Sequence, residues 1–196
     1  MNDLTSRYPR TISREQGEVE VRLMAPGDEG AVAAFAQKLP EHDLLFLRRD
    51  ITQPKVLSAW VNEIESGSIV SLLALQGGDL IGCSAIVRDT HSWSPHVGEL
   101  RVLVSAQTRD HGVGRILIQE SFIVALTLGV EKLTAQMTAD QLAAIGVFEG
   151  MGFRPEALLR DHVRGRDGVK HDIVILSHDV DEFQSKMQAY GLTEAF

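Results

Sequence analysis

The chain has 196 residues, enough for a domain with a substantial core, and its 44% hydrophobic and 23% charged content is ordinary for a globular protein. Its formal net charge of −8 disfavours nucleic acid as a partner, because phosphate binding usually draws on a basic face. No apolar run approaches the roughly 18 residues of a membrane-spanning helix, the N-terminus lacks a signal-peptide core, and the single Cys83 suits a reducing compartment, so we expect a cytoplasmic protein.

The first half of the chain predicts an arm followed by strands and helices. Residues 1–17 lack apolar periodicity and are expected to form a flexible N-terminal arm. The turn Gln76-Gly77-Gly78-Asp79 separates two apolar runs and predicts a hairpin. Periodicity and turn residues predict a strand over 18–23, helices over 28–39 and 52–67, and the two hairpin strands over 69–75 and 80–87.

The second half alternates strands and helices before a last hairpin and a closing helix. Strands are predicted over 97–104, 133–137, 157–163 and 170–176, and helices over 112–128, 140–150 and 179–190. Consecutive strands thus mix with β-α-β units, which predicts an α/β fold with a mixed, largely antiparallel central sheet and helices on both faces. No linker divides the chain, so residues 18–196 are expected to form a single domain.

The segment Arg109-Asp110-His111-Gly112-Val113-Gly114 joins a predicted strand to a predicted helix. Glycine lets a ligand approach the backbone closely, and the first N–H groups of a helix are unpaired and carry partial positive charge. The segment therefore predicts a diphosphate site, although a tight strand-to-helix turn would explain the same spacing. A dinucleotide fingerprint would need a small residue where Leu117 stands, and the Gly-Lys-Ser/Thr of a Walker loop is absent.

Two further stretches join this motif in a resemblance to a known family. The strand Glu99-Leu100-Arg101-Val102-Leu103-Val104 precedes it, and Phe148-Glu149-Gly150-Met151-Gly152-Phe153 follows it. Together the three closely resemble the GNAT superfamily of N-acetyltransferases, whose motif A is Gln/Arg-x-x-Gly-x-Gly/Ala. Leu39-Pro40-Glu41 adds a faint similarity to the acetyltransferase domain of bacterial protein-lysine acetyltransferases.

The resemblance implies acetyl-CoA as co-substrate and assigns roles to particular residues. The backbone of the strand before motif A would pair with the pantetheine arm, motif A would hold the diphosphate, and the start of the next helix would contact the cofactor. The implied cofactor-binding residues are Val102, Leu103, Val104, Arg109, Asp110, His111, Gly112, Val113, Gly114 and Gln141.

By the same resemblance, an amine attacks the thioester carbonyl of acetyl-CoA directly. A lysine-like amine, with a pKa near about 10.4, must first lose a proton. Glu99 stands where many members carry a base-forming glutamate, although it could instead face water or pair with Arg101. Phe148 replaces a common Tyr that protonates the leaving thiolate. A non-catalytic acyl-CoA-binding or regulatory module is therefore the alternative to an enzyme.

The remaining candidate residues suggest smaller roles. Cys83 lies in the middle of a strand and is expected to be a buried core residue. The loop carrying His91 and Trp93 is expected to border the acceptor site. No histidine has metal-ligand spacing with cysteine or carboxylate, so we expect no metal. The expected partner is a small-molecule amine or a protein lysine, and the last hairpin could pair across a homodimer.

Overall fold

The computed structural model of the protein describes residues 2–181. It contains five α-helices and eight β-strands in this part of the chain. The helices are α1 (Asn2–Arg7), α2 (Glu29–Gln37), α3 (Pro54–Glu65), α4 (Val113–Thr127) and α5 (Leu142–Gly150), with short 3-10 helices at Glu41–Leu44 and Ala106–Thr108. The strands are β1 (Arg10–Arg14), β2 (Gly17–Leu23), β3 (Ile69–Gln76), β4 (Asp79–Val87), β5 (Val97–Val104), β6 (Lys132–Thr138), β7 (Arg154–Arg164) and β8 (Lys170–Asp179).

All eight strands form one sheet in the order β1-β2-β3-β4-β5-β6-β8-β7. Every neighbouring pair is antiparallel except β5 and β6, which are parallel. Helices cover both faces of the sheet. The predicted fold class, a mixed and largely antiparallel sheet between helices, is therefore confirmed.

The two faces of the sheet bury two separate apolar clusters. The first lies beneath α4 and α5 and includes Phe122, Leu133 and Phe153. The second lies beneath α2 and α3 and includes Leu57 and Leu103. Successive side chains of a strand point to opposite faces, so β5 contributes to both clusters. This alternation determines which β5 side chains can reach each side of the candidate site.

The N-terminal residues differ from the flexible arm expected over 1–17. Residues 2–14, which we call the N-terminal strap, form α1 and β1, and β1 pairs with β2 along its whole length. Leu4 and Tyr8 of the strap are buried in the first cluster. The polar sequence concealed this packing because Arg7 and Arg10 pair with a buried carboxylate, Glu120, far along the chain.

Near the C-terminal end of the described residues, β8 continues to Asp179. Most of the closing helix expected over 179–190 lies outside the described residues. Within residues 2–181, no helix has both the length and the apolar character needed to cross a membrane.

Candidate active site

The central feature of the site is an open gap between β5 and β6. The two strands pair only where residues 97–99 meet residues 132–134. Beyond this point β5 still pairs with β4 as far as Val104, whereas no strand of the described residues 2–181 lies beside its other edge. The backbone of Val102, Leu103 and Val104, expected to bind the pantetheine arm, thus borders a gap and has unpaired peptide groups to offer.

The N-terminus of α4 lies just beyond the open end of β5. Gly112 has the left-handed φ of +71° and occupies the N-cap position without any side-chain cap. The first helical bond runs from the Ile116 N–H to the Gly112 carbonyl, so the preceding N–H groups have no acceptor within the helix. Free amides at a helix N-terminus suit an anion, and these lie at the position where motif A predicts the diphosphate site.

The other motif A residues differ in what they can offer a ligand. The His111 N–H donates to the Thr108 carbonyl at 3.3 Å, so this amide is already engaged. Asp110 adopts a left-handed φ of +64° and is exposed, and the Val113 side chain is buried in the first cluster. Among the motif A residues after Arg109, the groups that remain available to an anion are therefore the α4 amides and the glycine backbone.

Arg109 and Gln141, predicted separately as cofactor-binding residues, meet on one carboxylate. The Arg109 guanidinium donates to Asp43 Oδ2, and the Gln141 amide donates to Asp43 Oδ1 at 3.4 Å. Gln141 is held in turn by the Thr138 N–H, which donates to its Oε1 at 3.2 Å. Asp43 belongs to the 3-10 helix Glu41–Leu44, and sequence reasoning missed it because local spacing does not reveal contacts between distant segments.

Glu99 lies on the face of β5 that points toward α2 and α3, away from α4, and is ion-paired. Arg101 Nε donates to its Oε1 at 2.8 Å, and Arg48 Nη2 lies 3.6 Å from its Oε2. The Glu99 side chain is only 12% exposed, whereas that of Arg48 is 72% exposed. The pairing with Arg101 foreseen from the sequence is thus present, and it leaves Oε2 as the less engaged oxygen.

A cavity of about 310 Å³ opens on the same face of β5. Its wall includes Arg101, Leu103 and Trp60, together with His91 from the loop expected to border the acceptor site. Trp93 of that loop is fully exposed. The cavity and the β5–β6 gap thus lie beside the same strand.

The cavity wall carries more cations than anions. Its four arginines outnumber its two carboxylates, and these groups come from α3, β5, the loop before α3 and the loop after β4. The arginines are Arg48, Arg49, Arg88 and Arg101, and the acids are Glu63 and Asp89. Cys83 also lies on the wall but is almost fully buried, and burial raises the pKa of its thiol to about 12.

A sequence profile of the Acetyltransferase (GNAT) family matches residues 33–153, which is more than half of the chain. The chain belongs to this family. The matched range contains β5, motif A and the Phe153 signature, so the assignment rests on the same segments that form the gap and the anion site.

Solved structures of other GNAT proteins share the fold at low sequence identity. A GNAT acetyltransferase from Streptococcus pneumoniae is 20% identical, with a TM-score of 0.71 over 82% of this chain and 99% of the other. The GNAT domain of S. lividans PAT is 18% identical, with a TM-score of 0.71 over 89% and 98%. The putative acetyltransferase yncA from Salmonella typhimurium, solved with its cofactor acetyl-CoA, is 18% identical, with a TM-score of 0.69 over 84% and 95%. No curated protein matches the chain significantly.

GNAT proteins use acetyl-CoA, and the described residues fit that molecule. An extended arm needs an open strand edge, which β5 provides, and a diphosphate needs unpaired donors, which the start of α4 provides. Arg14 adds an independent observation, because its Nη1 atom is buried beside Gly112 with no hydrogen-bond partner in residues 2–181.

The Phe148 signature of this GNAT chain packs in the core. The Phe148 ring is 7% exposed and meets the Phe153 ring edge-on, with centroids 5.0 Å apart. Gly152 has a left-handed φ of +96° and lies against the His178 ring, where a side chain would not fit. Phe148 offers no donor to a leaving thiolate, as its sequence already indicated.

A group of metal-ligand residue types lies near Gln141, although the sequence predicted none. Potential ligand atoms of His42, Asp140 and His171 all lie within 4.8 Å of one another. His42 Nε2 is 3.0 Å from both Asp140 Oδ1 and Thr138 Oγ1, and hydrogen bonding from Thr138, aided by His42, holds the pKa of the Asp140 carboxyl below its ordinary value. Spacing along the chain did not reveal the group because its members come from three separate elements.

Proposed function

We propose that this GNAT protein transfers the acetyl group of acetyl-CoA to a primary amine by direct attack. The observation that carries the proposal is the arrangement around β5. One edge of the strand borders an open gap ending at the α4 anion site, and one face of it carries Glu99 beside a cavity. Two substrates can therefore approach the same strand from different directions.

In this proposal the β5–β6 gap and motif A hold acetyl-CoA, which supplies an activated acyl thioester. The backbone of residues 102–104 aligns the extended arm, and the α4 amides bind the diphosphate. Each charge-assisted hydrogen bond of this kind contributes about 1.5–3 kcal/mol, so four or five are enough to hold the molecule on an acidic protein.

Glu99 is proposed as the proton acceptor for the attacking amine. Arg101 donates to its Oε1 at 2.8 Å, whereas the contact of Oε2 within residues 2–181 is a 3.6 Å ion pair with the largely exposed side chain of Arg48. Oε2 is therefore the atom that we assign to take the proton. The amine would enter through the cavity, whose wall includes Arg101.

The acceptor is proposed to be a primary amine on a small molecule or on a protein lysine. The likeness to the GNAT domain of S. lividans PAT supports considering a protein among the acceptors. The net charge of −8 supports an acceptor other than nucleic acid. We also propose a cytoplasmic location, in keeping with a single buried cysteine, and pairing of the last hairpin across a homodimer.

The direct test is to incubate the protein with acetyl-CoA and a panel of amines and peptides while following thiol release. Glu99→Gln keeps a hydrogen-bond acceptor for Arg101 but removes the base, so turnover should fall at least about tenfold with an unchanged coenzyme A Kd. Glu65→Gln, an exposed change at the end of α3, is the matched control. No thiol release with any acceptor, despite tight coenzyme A binding, would contradict the enzyme proposal.

A second candidate function is an acyl-CoA-binding or regulatory module without turnover. Phe148 favours it, because a phenyl ring cannot protonate a leaving thiolate and general acid help is typically worth about 10²–10⁴-fold. In such a module coenzyme A binds, no acetylated product forms, and Glu99→Gln changes nothing measurable. A rate that falls in Glu99→Gln eliminates this candidate.

A further inference from the structure

Arg14 is a cation that the fold places at the N-terminus of α4 without an anion. Its Nη1 atom is buried and has no hydrogen-bond partner within residues 2–181. A Cβ built on Gly112 would lie 2.9 Å from this atom and 3.0 Å from Arg14 Cζ, so the guanidinium lies directly against the glycine. The residue as a whole is only partly buried, but leaving a buried donor atom unpaired is unfavourable, which indicates that the position serves an anion from outside the chain.

The geometry of β1 explains how Arg14 reaches this position. Alternate residues Arg10, Ile12 and Arg14 are the partly buried side of the strand, and Ile12 packs on the first cluster beneath α4. Four residues of strand span about 13 Å, and the eight residues from Gly112 to Glu120 span about 12 Å of helix. When Arg10 pairs with Glu120, at 3.1 Å, Arg14 is therefore in register with the start of α4.

The N-terminal strap is anchored independently of Arg14. Glu120 is 3% exposed and contacts three strap side chains, since it also accepts from the Tyr8 hydroxyl at 2.8 Å and pairs with Arg7 at 3.2 Å. These contacts satisfy the buried carboxylate and fix the course of β1. Arg14 is not needed for this anchoring, and no anion of the described residues is paired with it.

We propose that Arg14 binds the diphosphate of coenzyme A, as a cofactor-binding residue supplied by the N-terminal strap. A planar guanidinium offers two parallel donors that suit a phosphate, and here it shares one location with the α4 amides. The residue lies outside the range 33–153 matched by the family profile, so the family motif does not contain it. The inference rests on the proposed function only in requiring that coenzyme A binds.

The test measures coenzyme A affinity by titration calorimetry without any acceptor. Arg14→Gln should raise the Kd about tenfold or more, which is the loss expected for a charge-assisted hydrogen bond. Arg14→Lys should fall between Arg14→Gln and the wild type, because it keeps the charge but not the planar pair of donors. Arg154→Gln is the matched control, an exposed arginine on the strand at the opposite edge of the sheet, and should leave the Kd unchanged.

Thermal melting separates ligand binding from a structural role. Without ligand, Arg14→Gln removes a partly buried guanidinium whose buried Nη1 atom is unpaired, so its melting temperature should equal or exceed that of the wild type. With saturating coenzyme A its temperature shift should be smaller than the wild-type shift. A variant that melts early without ligand and shows the full shift would overturn the proposal.

Two coenzyme A fragments identify the phosphate that is contacted. Arg14→Gln should weaken coenzyme A and 3′-dephospho-coenzyme A by the same factor and leave pantetheine, which has no phosphate, unaffected. An effect confined to intact coenzyme A would assign Arg14 to the 3′-phosphate and overturn the diphosphate assignment. If the wild type binds no coenzyme A, the proposed function fails as well; if it binds and Arg14→Gln binds equally, only the present inference fails.

Discussion

Asp43 forms an ion pair with Arg109, the first residue of motif A, from a 3-10 helix 66 positions earlier in the chain. The same carboxylate accepts from Gln141 at the start of α5. The Asp43 carboxylate thus binds both side chains, Arg109 of motif A and Gln141 before α5, that the family resemblance assigns to coenzyme A. If Arg109 binds a phosphate of coenzyme A as proposed, the Asp43 carboxylate competes with the cofactor for this cation.

We expect Asp43→Asn to tighten coenzyme A binding. The pair is partly exposed, and such pairs contribute up to about 1 kcal/mol, so the Kd should fall about two- to fivefold. Titration calorimetry measures this, with Asp79→Asn in the exposed β3–β4 turn as the control. A weaker affinity in Asp43→Asn would mean that the carboxylate orients Arg109 for the ligand and does not compete with it.

Removing the Tyr8 hydroxyl should weaken the anchoring of the N-terminal strap. Tyr8 donates to the buried Glu120 carboxylate at 2.8 Å, and a hydrogen bond to a charged group contributes about 1.5–3 kcal/mol. Tyr8→Phe should therefore lower the free energy of unfolding by about that amount at neutral pH. Urea denaturation followed by circular dichroism measures the difference, and equal stability of the two proteins would contradict the anchoring role.

The same hydroxyl predicts a pH dependence. Burial, with the nearby charge of Glu120, raises the pKa of Tyr8 well above its ordinary value of 10.0. Because the pKa of Tyr8 is higher in the folded state than in the unfolded state, the hydroxyl stabilises the fold fully below the unfolded-state pKa. This stabilisation is lost as the pH rises toward the folded-state pKa. The stability difference between wild type and Tyr8→Phe should thus shrink above about pH 10, the ordinary pKa of a tyrosine. A difference that grows with alkalinity would contradict this assignment.

Cys83 should be inert in the folded protein. Its thiol is buried and its pKa is raised to about 12 by that burial, so almost no thiolate exists at pH 8. A disulfide reagent such as DTNB should react slowly with native protein and rapidly, with one equivalent, in urea, because the chain has one cysteine. Complete reaction of native protein within the mixing time would show that the cavity exposes the thiol.

The glycine before Phe153 should be essential to stability. Gly152 has a φ of +96°, and a Cβ there would lie 3.0 Å from His178 Cδ2 and still closer to Nε2. Gly152→Ala should lower the free energy of unfolding by about 2 kcal/mol or more, from backbone strain and steric overlap. Gly146→Ala is the matched control within α5: nothing lies within 4 Å of its added Cβ, so it should stabilise the protein by about 0.5–1 kcal/mol. Similar effects of the two changes would contradict this role.

The sequence predicted the elements whose patterns are local. The expected strand over 97–104 has the observed limits of β5, and α4 begins and ends within one residue of its expected limits. These segments carry apolar periodicity and glycine boundaries, which depend only on neighbouring residues. The possible pairing of Glu99 with Arg101 was likewise visible, since residues two apart in a strand share a face.

Contacts between distant segments were not visible in the same way. Residues 1–17 indicated a flexible arm, because a polar segment lacks apolar periodicity and its buried partner, the Glu120 that pairs with Arg7 and Arg10, lies far along the chain. The pairing of Asp43 with Arg109 and the grouping of His42 with Asp140 also depend on how loops cross the ends of β5 and β6. Side chains that are brought together only by the path of the folded chain leave no periodic pattern in the sequence.

The short pairing between β5 and β6 joins the two halves of the sheet through a narrow connection. Five strands lie on one side, three lie on the other, and three residue pairs bind them, reinforced where the His96 carbonyl accepts from the Glu131 and Lys132 N–H groups. Gly98 lies in this paired segment of β5, where an added Cβ would lie 3.0 Å from Ile86 and 3.3 Å from Leu133. We expect a bulkier residue at this position to change the separation of β5 and β6, and so the width of the gap proposed to hold coenzyme A, without touching the coenzyme.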